Sequence, residues 1–69
     1  MLKEFEDLDG KDTGILNKQG WYFVTYFKSK ESSRAYNLAV EKSLNMTRKC
    51  GFKRYEKDGY FVWELWEKW

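Results

Sequence analysis

The sequence lacks histidine and proline, and it holds a single cysteine, Cys50. One cysteine excludes an internal disulfide. Without histidine or a second thiol, neither a tetrahedral zinc site nor a Cys-His or Ser-His catalytic pair can form. We therefore expect no metal, no cofactor, no small-molecule substrate and no enzymatic activity. Cys50 is predicted to be a buried structural thiol.

Long hydrophobic segments are also missing. The longest apolar run covers residues 21–27, which is far short of the roughly 20 residues that a transmembrane helix needs. The first ten residues, MLKEFEDLDG, are acidic where a secretory signal would be basic and then apolar. These features predict a soluble protein of the cytoplasm of a bacterial or host cell, without a membrane partner.

The length and the charge describe one small domain, residues 1–69. A chain of this size obtains only about 3–5 kcal/mol of net stability from a single core. The formal charge is −3 over residues 1–17, +6 over residues 18–58 and −1 over residues 59–69, which gives +2 overall. This uneven distribution permits an anionic partner without identifying one.

The N-terminal third predicts an arm followed by a strand. In residues 1–14, Leu2, Phe5 and Leu8 have the spacing of a helical turn, and Asp, Gly and Thr follow them. We expect a short helix or a partly mobile arm there. The β-branched and aromatic run WYFVTYF predicts a strand over residues 21–27, with a weaker hairpin partner at Ile15 and Leu16 before it.

After Ser29 the apolar period changes to that of a helix. Ser29 is the predicted N-cap, and Gly51 the residue just after the helix end. Between them, one side of the helix carries the smaller and apolar residues Ala35, Tyr36, Ala39, Val40, Ser43, Met46, Thr47 and Cys50. The pattern therefore predicts one long amphipathic helix that runs to Cys50.

Residues 52–69 predict a β-hairpin around Asp58-Gly59, a dipeptide typical of two-residue type I′ turns. This turn sets the pairing of the two strands: Lys57 with Tyr60, Glu56 with Phe61, Tyr55 with Val62, Arg54 with Trp63, Lys53 with Glu64 and Phe52 with Leu65.

Together these patterns predict an α+β fold of the order (β)-β-α-β-β. One helix packs on one face of a small antiparallel sheet of three to four strands. The last strand is the most apolar, so we expect it in the centre of the sheet, between residues 21–27 and 52–57. One helix can cover only one of the two sheet faces.

Both faces of this sheet are apolar if the strands alternate regularly. We expect the helix on the set rich in Phe, Trp and Leu, namely Trp21, Phe23, Phe27, Phe52, Phe61, Trp63 and Leu65. The other set mixes aromatic residues with lysines, namely Tyr22, Val24, Tyr26, Tyr55, Tyr60, Val62 and Trp66 beside Lys28, Lys53, Lys57 and Lys68.

A second face of this composition is typical of a binding surface. The first hypothesis is a non-catalytic protein-binding module that joins a second copy in a homodimer or docks on a larger protein. Its interface residues are Tyr22, Tyr26, Tyr55, Tyr60, Val62 and Trp66. The size and composition are in the style of phage or mobile-element inhibitors that block a host enzyme.

Two other interpretations remain open from the sequence. In a single-stranded nucleic-acid-binding protein, bases would stack on these aromatics while Lys28, Lys53, Lys57 and Lys68 contact phosphates. The chain has no RNP-like motif to accompany them. Alternatively, the tyrosines belong to an ordinary solvated sheet face, or the N-terminal arm folds over them.

Overall fold

A computed structural model describes residues 5–69. The elements in chain order are β1 (Phe5–Asp7), α1 (Thr13–Lys18), β2 (Trp21–Ser29), α2 (Ser32–Leu44), β3 (Cys50–Lys57) and β4 (Tyr60–Lys68). The four strands form one sheet in the order β1-β3-β4-β2, and α2 packs on one of its faces against β2 and β4. The fold is a small α+β fold, which confirms the predicted class.

The hairpin of β3 and β4 has the predicted turn and register. Asp58 and Gly59 both have positive φ, 53° and 81°, as the central residues of a type I′ turn require. Lys57 is opposite Tyr60, and all six predicted pairs are present. The predicted position of β4, between β2 and β3, is also confirmed.

The sheet is mixed, because β1 pairs in parallel with β3. The prediction of a wholly antiparallel sheet is therefore wrong at this edge. Phe5, expected in a helical turn with Leu2 and Leu8, lies in β1 opposite Cys50, and Leu8 follows the strand. Leu2 lies outside the described residues. The pairing joins positions 45 residues apart, so no local pattern in the sequence reports it.

The predicted hairpin partner at Ile15 and Leu16 is instead the helix α1. Asp12 is its N-cap, and the Asp12 Oδ1 atom accepts a hydrogen bond of 2.9 Å from the Ile15 backbone N–H. Leu16 is the buried residue of α1, and Ile15 is exposed. A helical turn satisfies the backbone here while burying one leucine, so the adjacent apolar pair did not require a strand.

The helix α2 is shorter than predicted at both ends. It begins at Ser32 after the N-cap Glu31, while the Ser29 hydroxyl accepts a 3.1 Å hydrogen bond from the Glu31 N–H. It ends at Leu44, and Gly51 lies inside β3. The helical period continues to Cys50 in the sequence because that residue still packs into the core beside α2 from a strand.

The strand β2 contains an irregularity that reverses its facing. Its pairing with β4 shifts between Phe23 and Thr25, which is the signature of a β-bulge. Phe23 pairs with Trp66 and Thr25 with the adjacent residue Leu65, so the two partners lie on opposite faces. Trp21 and Phe23 therefore lie on the face opposite α2, contrary to the prediction.

The same bulge moves Tyr22 and Val24 to the side of α2. Val24 packs against the core cluster that includes Ala39 of the helix. The Tyr22 ring lies 5.0 Å from the ring of Trp69. The predicted facing is thus wrong for the first four residues of β2, because regular alternation cannot continue through a bulge.

The core has two parts, one on each face of the sheet. The face under α2 buries Ala39, Cys50, Phe52 and Leu65, and Trp63 packs against them as predicted. The opposite face, called here the second face, buries Leu8, Leu16, Trp21 and Trp66. The chain therefore covers part of the second face with the segment around α1.

Candidate functional site

The covered half of the second face centres on Trp66. Its side chain is only 2% exposed and packs with Leu8 and Leu16. The indole N–H of Trp66 donates a 3.0 Å hydrogen bond to Glu64 Oε1. The structure thus places this predicted interface residue in the protein's own core. Sequence reasoning missed the burial because Leu8 reaches Trp66 only through the parallel β1 pairing.

The segment that covers Trp66 is fastened to β3 by Asp9. Its Oδ1 atom accepts a hydrogen bond of 2.9 Å from the Arg54 backbone N–H, and its Oδ2 atom accepts one of 2.7 Å from Arg54 Nε. Leu8 N–H also donates to the Phe52 carbonyl, at 2.9 Å. These three hydrogen bonds hold Leu8 and Asp9 against β3. The covered half of the second face ends at this segment.

Beyond that limit lie Tyr26, Tyr55, Tyr60 and Val62, which we call the tyrosine patch. Val62 of β4 is opposite Tyr55 on β3, so these two side chains share the second face. Val62 is 5% exposed, whereas Tyr55 is 40% and Tyr26 53% exposed. The patch is therefore a buried valine beneath open tyrosine rings.

Three antiparallel strands hold the patch in place. Across the sheet, Tyr55, Val62 and Lys28 form one row, and Lys53, Glu64 and Tyr26 form the next. Side chains in adjacent rows of one face lie about 7–8 Å apart or less. The patch borders an open groove of about 440 Å³ that is lined by Tyr26, Lys28, Tyr55, Lys57, Asp58, Tyr60 and Val62.

The charges around the patch are mainly positive. The Nζ atoms of Lys28 and Lys30 lie 5.2 and 5.8 Å from the centre of the Tyr60 ring, within cation–π distance. Lys57 also lines the groove, whose one acidic lining residue is Asp58. Glu64 adds a second carboxylate, one row away between Tyr26 and Lys53. At the groove itself, a negatively charged group therefore meets two to three ammonium groups.

Tyr55 has a perturbed hydroxyl. Burial raises its pKa above the ordinary value of 10.0, and a hydrogen bond and the negative charge of Glu64 raise it further, with a smaller contribution from Tyr26. Each of these effects disfavours the phenolate. Tyr55 therefore presents a neutral hydroxyl in the patch, next to a carboxylate of its own chain.

Not every predicted site residue belongs to the patch. Tyr22 lies on the α2 side, with its ring tilted at 43° to that of Trp69. Lys68 lies at the covered half, with its Nζ 5.4 Å from the centre of the Trp21 ring. The structure brings together Tyr26, Tyr55, Tyr60 and Val62, with Lys28, Lys53 and Lys57 in the same rows or next to them.

One exposed aromatic of the second face was assigned to the wrong side by sequence reasoning. Phe23 is 48% exposed, and its ring lies 5.7 Å from that of Trp66. It extends the apolar surface along β2 from Tyr26 toward the covered half. Only the bulge at Val24 puts it there, and nothing in the sequence WYFVTYF marks a bulge.

Between residues 5 and 69, no three His, Cys, Asp or Glu side chains come together as metal ligands. Cys50 is buried, with its Sγ 3.5 Å from the Arg48 carbonyl oxygen. None of the helices in this range is long and apolar enough to cross a membrane.

Comparisons with protein-family models, with curated proteins and with solved structures gave no match to this chain. The geometry of the patch is therefore what indicates a function.

Proposed function

We propose that this protein is a non-catalytic protein-binding module and that the tyrosine patch is its binding surface. The observation that carries the proposal is the exposure of Tyr26 and Tyr55 over the buried Val62. In the described part of the chain, nothing covers these rings. The partner chemistry we propose is an acidic surface, because Lys28, Lys53 and Lys57 lie in or beside the patch and outnumber its carboxylates, Glu64 and Asp58.

Residue type supports this proposal. Tyrosine is enriched at binding hot spots, since it offers a large contact area, a hydroxyl tip and little rotamer entropy to lose. The patch residues project from three paired strands, so their positions are set before binding. Truncation to alanine of a hot-spot residue typically costs about 2 kcal/mol or more of binding free energy.

The proposed setting is the cytoplasm of a bacterial or host cell, and the proposed mode of action is occupation of a larger protein's surface. A phage-type inhibitor of a host enzyme acts in this way without catalytic residues of its own. This mode is an analogy of size and composition.

The test compares partner capture by three forms of the full chain. The double variant Tyr26→Ala/Tyr55→Ala removes the two exposed rings. The control Tyr36→Ala removes a comparably exposed tyrosine on α2, where the residue is 43% exposed. Proteins cross-linked in lysate of the source cell are quantified by mass spectrometry. A partner kept by the control and lost by the double variant supports the proposal, and equal capture by all three forms refutes it.

A second candidate function is the binding of single-stranded nucleic acid. The observation that favours it is the approach of Lys28 and Lys30 to the Tyr60 ring, which combines cations with a stacking surface. Labelled oligodeoxythymidine titrated at low and moderate salt distinguishes the two functions. Binding through several phosphates weakens steeply with salt, and the absence of binding at low salt eliminates this candidate.

A further inference from the structure

The strand β2 forms one edge of the sheet. The order β1-β3-β4-β2 gives it one neighbour, β4, and among residues 5–69 no strand pairs with its outer side. It is nine residues long and contains no proline. Edge strands of this length present unpaired N–H and C=O groups that can pair with another chain.

The hydrogen-bond pattern identifies which groups face outward. Lys68 N–H donates to the Lys49 carbonyl at 2.9 Å, so Lys68 directs its backbone groups toward β3. Backbone groups alternate sides along a strand, so Glu64 and Val62 also direct theirs toward β3. Their partners on β2, Tyr26 and Lys28, therefore direct N–H and C=O away from β4 to the free edge.

The free edge and the tyrosine patch are continuous. Tyr26 and Lys28 supply the outward backbone groups, and their side chains lie on the second face in the rows of the patch. A strand paired with residues 25–29 would place every second one of its own side chains on the second face, beside Tyr26 and Lys28. The bulge between Phe23 and Thr25 limits the usable edge to this segment.

The charges indicate what kind of strand fits. No acidic residue occurs in β2, Lys28 lies on its edge and Lys30 follows it. A second copy paired through the same segment would bring no carboxylate to Lys28, because residues 25–29 contain none. Carboxylates on an added strand would instead lie beside these ammonium groups.

We propose that residues 25–29 of β2 bind an extended acidic segment of the partner protein by strand addition. This inference rests on the proposed function, since the tyrosine patch supplies the side-chain contacts. It adds a recognition mode in which main-chain hydrogen bonds from Tyr26 and Lys28 provide affinity and the patch provides specificity.

The test uses a blocked heptapeptide of alternating Glu and Val, which places all its glutamates on one side of a strand. It is titrated into the full chain and followed by tryptophan fluorescence. Lys28→Ala removes the charge, whereas Lys28→Pro removes the charge and the outward N–H. We expect Lys28→Pro to bind about fivefold more weakly than Lys28→Ala, as the loss of one hydrogen bond implies.

A second measurement needs no variant. Amide hydrogen exchange of Tyr26 and Lys28 in the wild-type chain should slow when the peptide is bound, because strand addition covers these N–H groups. The double variant Tyr26→Ala/Tyr55→Ala, titrated in parallel, reports on the patch itself. Circular dichroism of Lys28→Pro checks that the sheet is retained.

The outcomes separate the inference from the proposed function. Equal peptide binding by Lys28→Pro and Lys28→Ala, with unchanged exchange at Tyr26 and Lys28, refutes strand addition. The patch proposal survives that result if the tyrosine variant loses binding. No peptide binding by the wild type, or equal binding of a Lys-Val peptide, refutes the acidic occupant. Self-association that Lys28→Pro abolishes identifies a second copy as the occupant and refutes the inference.

Discussion

The side chain of Leu8 rests directly on the backbone of Gly51. A Cβ atom added at residue 51 would lie 2.7 Å from Leu8 Cδ1 and 3.1 Å from the Glu6 carbonyl oxygen. The absence of a side chain at this position lets the segment after β1 approach β3 closely enough for Leu8 to join Trp66 in the core. Gly51 is required here for space, in a strand, and not for a left-handed conformation.

Gly51→Ala should therefore lower the free energy of unfolding by about 1–3 kcal/mol, as overpacking of a core does. The measurement is urea unfolding followed by tryptophan fluorescence. In a Leu8→Ala background the same substitution should cost less, since the closest atom it meets, Leu8 Cδ1, is gone and the Glu6 carbonyl oxygen at 3.1 Å remains. An equal loss in both backgrounds would show that Leu8 and residue 51 do not compete for this space.

The features that the sequence predicted well are local ones. Asp58-Gly59 determines a turn, the turn determines the register of β3 and β4, and the register places Tyr55 beside Val62. Each step depends on neighbours within a few residues. For this reason Tyr55, Tyr60 and Val62 of the predicted interface lie together on the face opposite α2. Tyr26 joins them through the pairing of β2 with β4.

The features that the sequence did not predict depend on distant contacts or on an irregular backbone. The burial of Trp66 requires Leu8, which comes from a parallel pairing far along the chain. The facing of Tyr22 depends on a bulge that no residue type marks. Cys50 continues the helical period because it shares the core of α2, so periodicity alone could not locate the helix end at Leu44.

The type I′ turn gives a sharp test of the hairpin. Gly59 has φ 81°, a conformation that costs a residue with a Cβ atom roughly 1–2 kcal/mol and a β-branched residue the most. Gly59→Val should lower the midpoint of thermal unfolding clearly. Gly59→Asn is the matched control and should lower it less, because asparagine tolerates the left-handed region. The reverse order of the two variants would contradict this turn.

The division of the second face into covered and open halves predicts opposite stability effects for two aromatics on adjacent rows. Trp66→Ala should lower the free energy of unfolding by about 3–5 kcal/mol, because it empties a buried site. Tyr26→Ala should change the same quantity by less than about 1 kcal/mol, because its ring is 53% exposed.

Trp66→Phe keeps that comparison measurable if the alanine variant does not fold, and it should still be less stable than Tyr26→Ala. Denaturant unfolding is the measurement for all three variants. A stable Trp66→Ala protein beside an unfolded Tyr26→Ala protein would mean that the segment around Leu8 and Leu16 does not cover Trp66.

The raised pKa of Tyr55 predicts how stability depends on pH above neutrality. Well below pH 10 both the folded and the unfolded chain keep this phenol protonated. Between the ordinary pKa of 10.0 and the raised folded pKa, the unfolded chain loses its proton first, so the contribution of Tyr55 to stability falls as the pH rises.

Ultraviolet difference titration of the wild type against Tyr55→Phe should assign to Tyr55 an ionisation above 10. Glu64→Gln removes the carboxylate charge but leaves the burial, so it should lower this pKa without fully restoring 10.0. If the titration of Tyr55 is unchanged in Glu64→Gln, the carboxylate does not act on the patch hydroxyl.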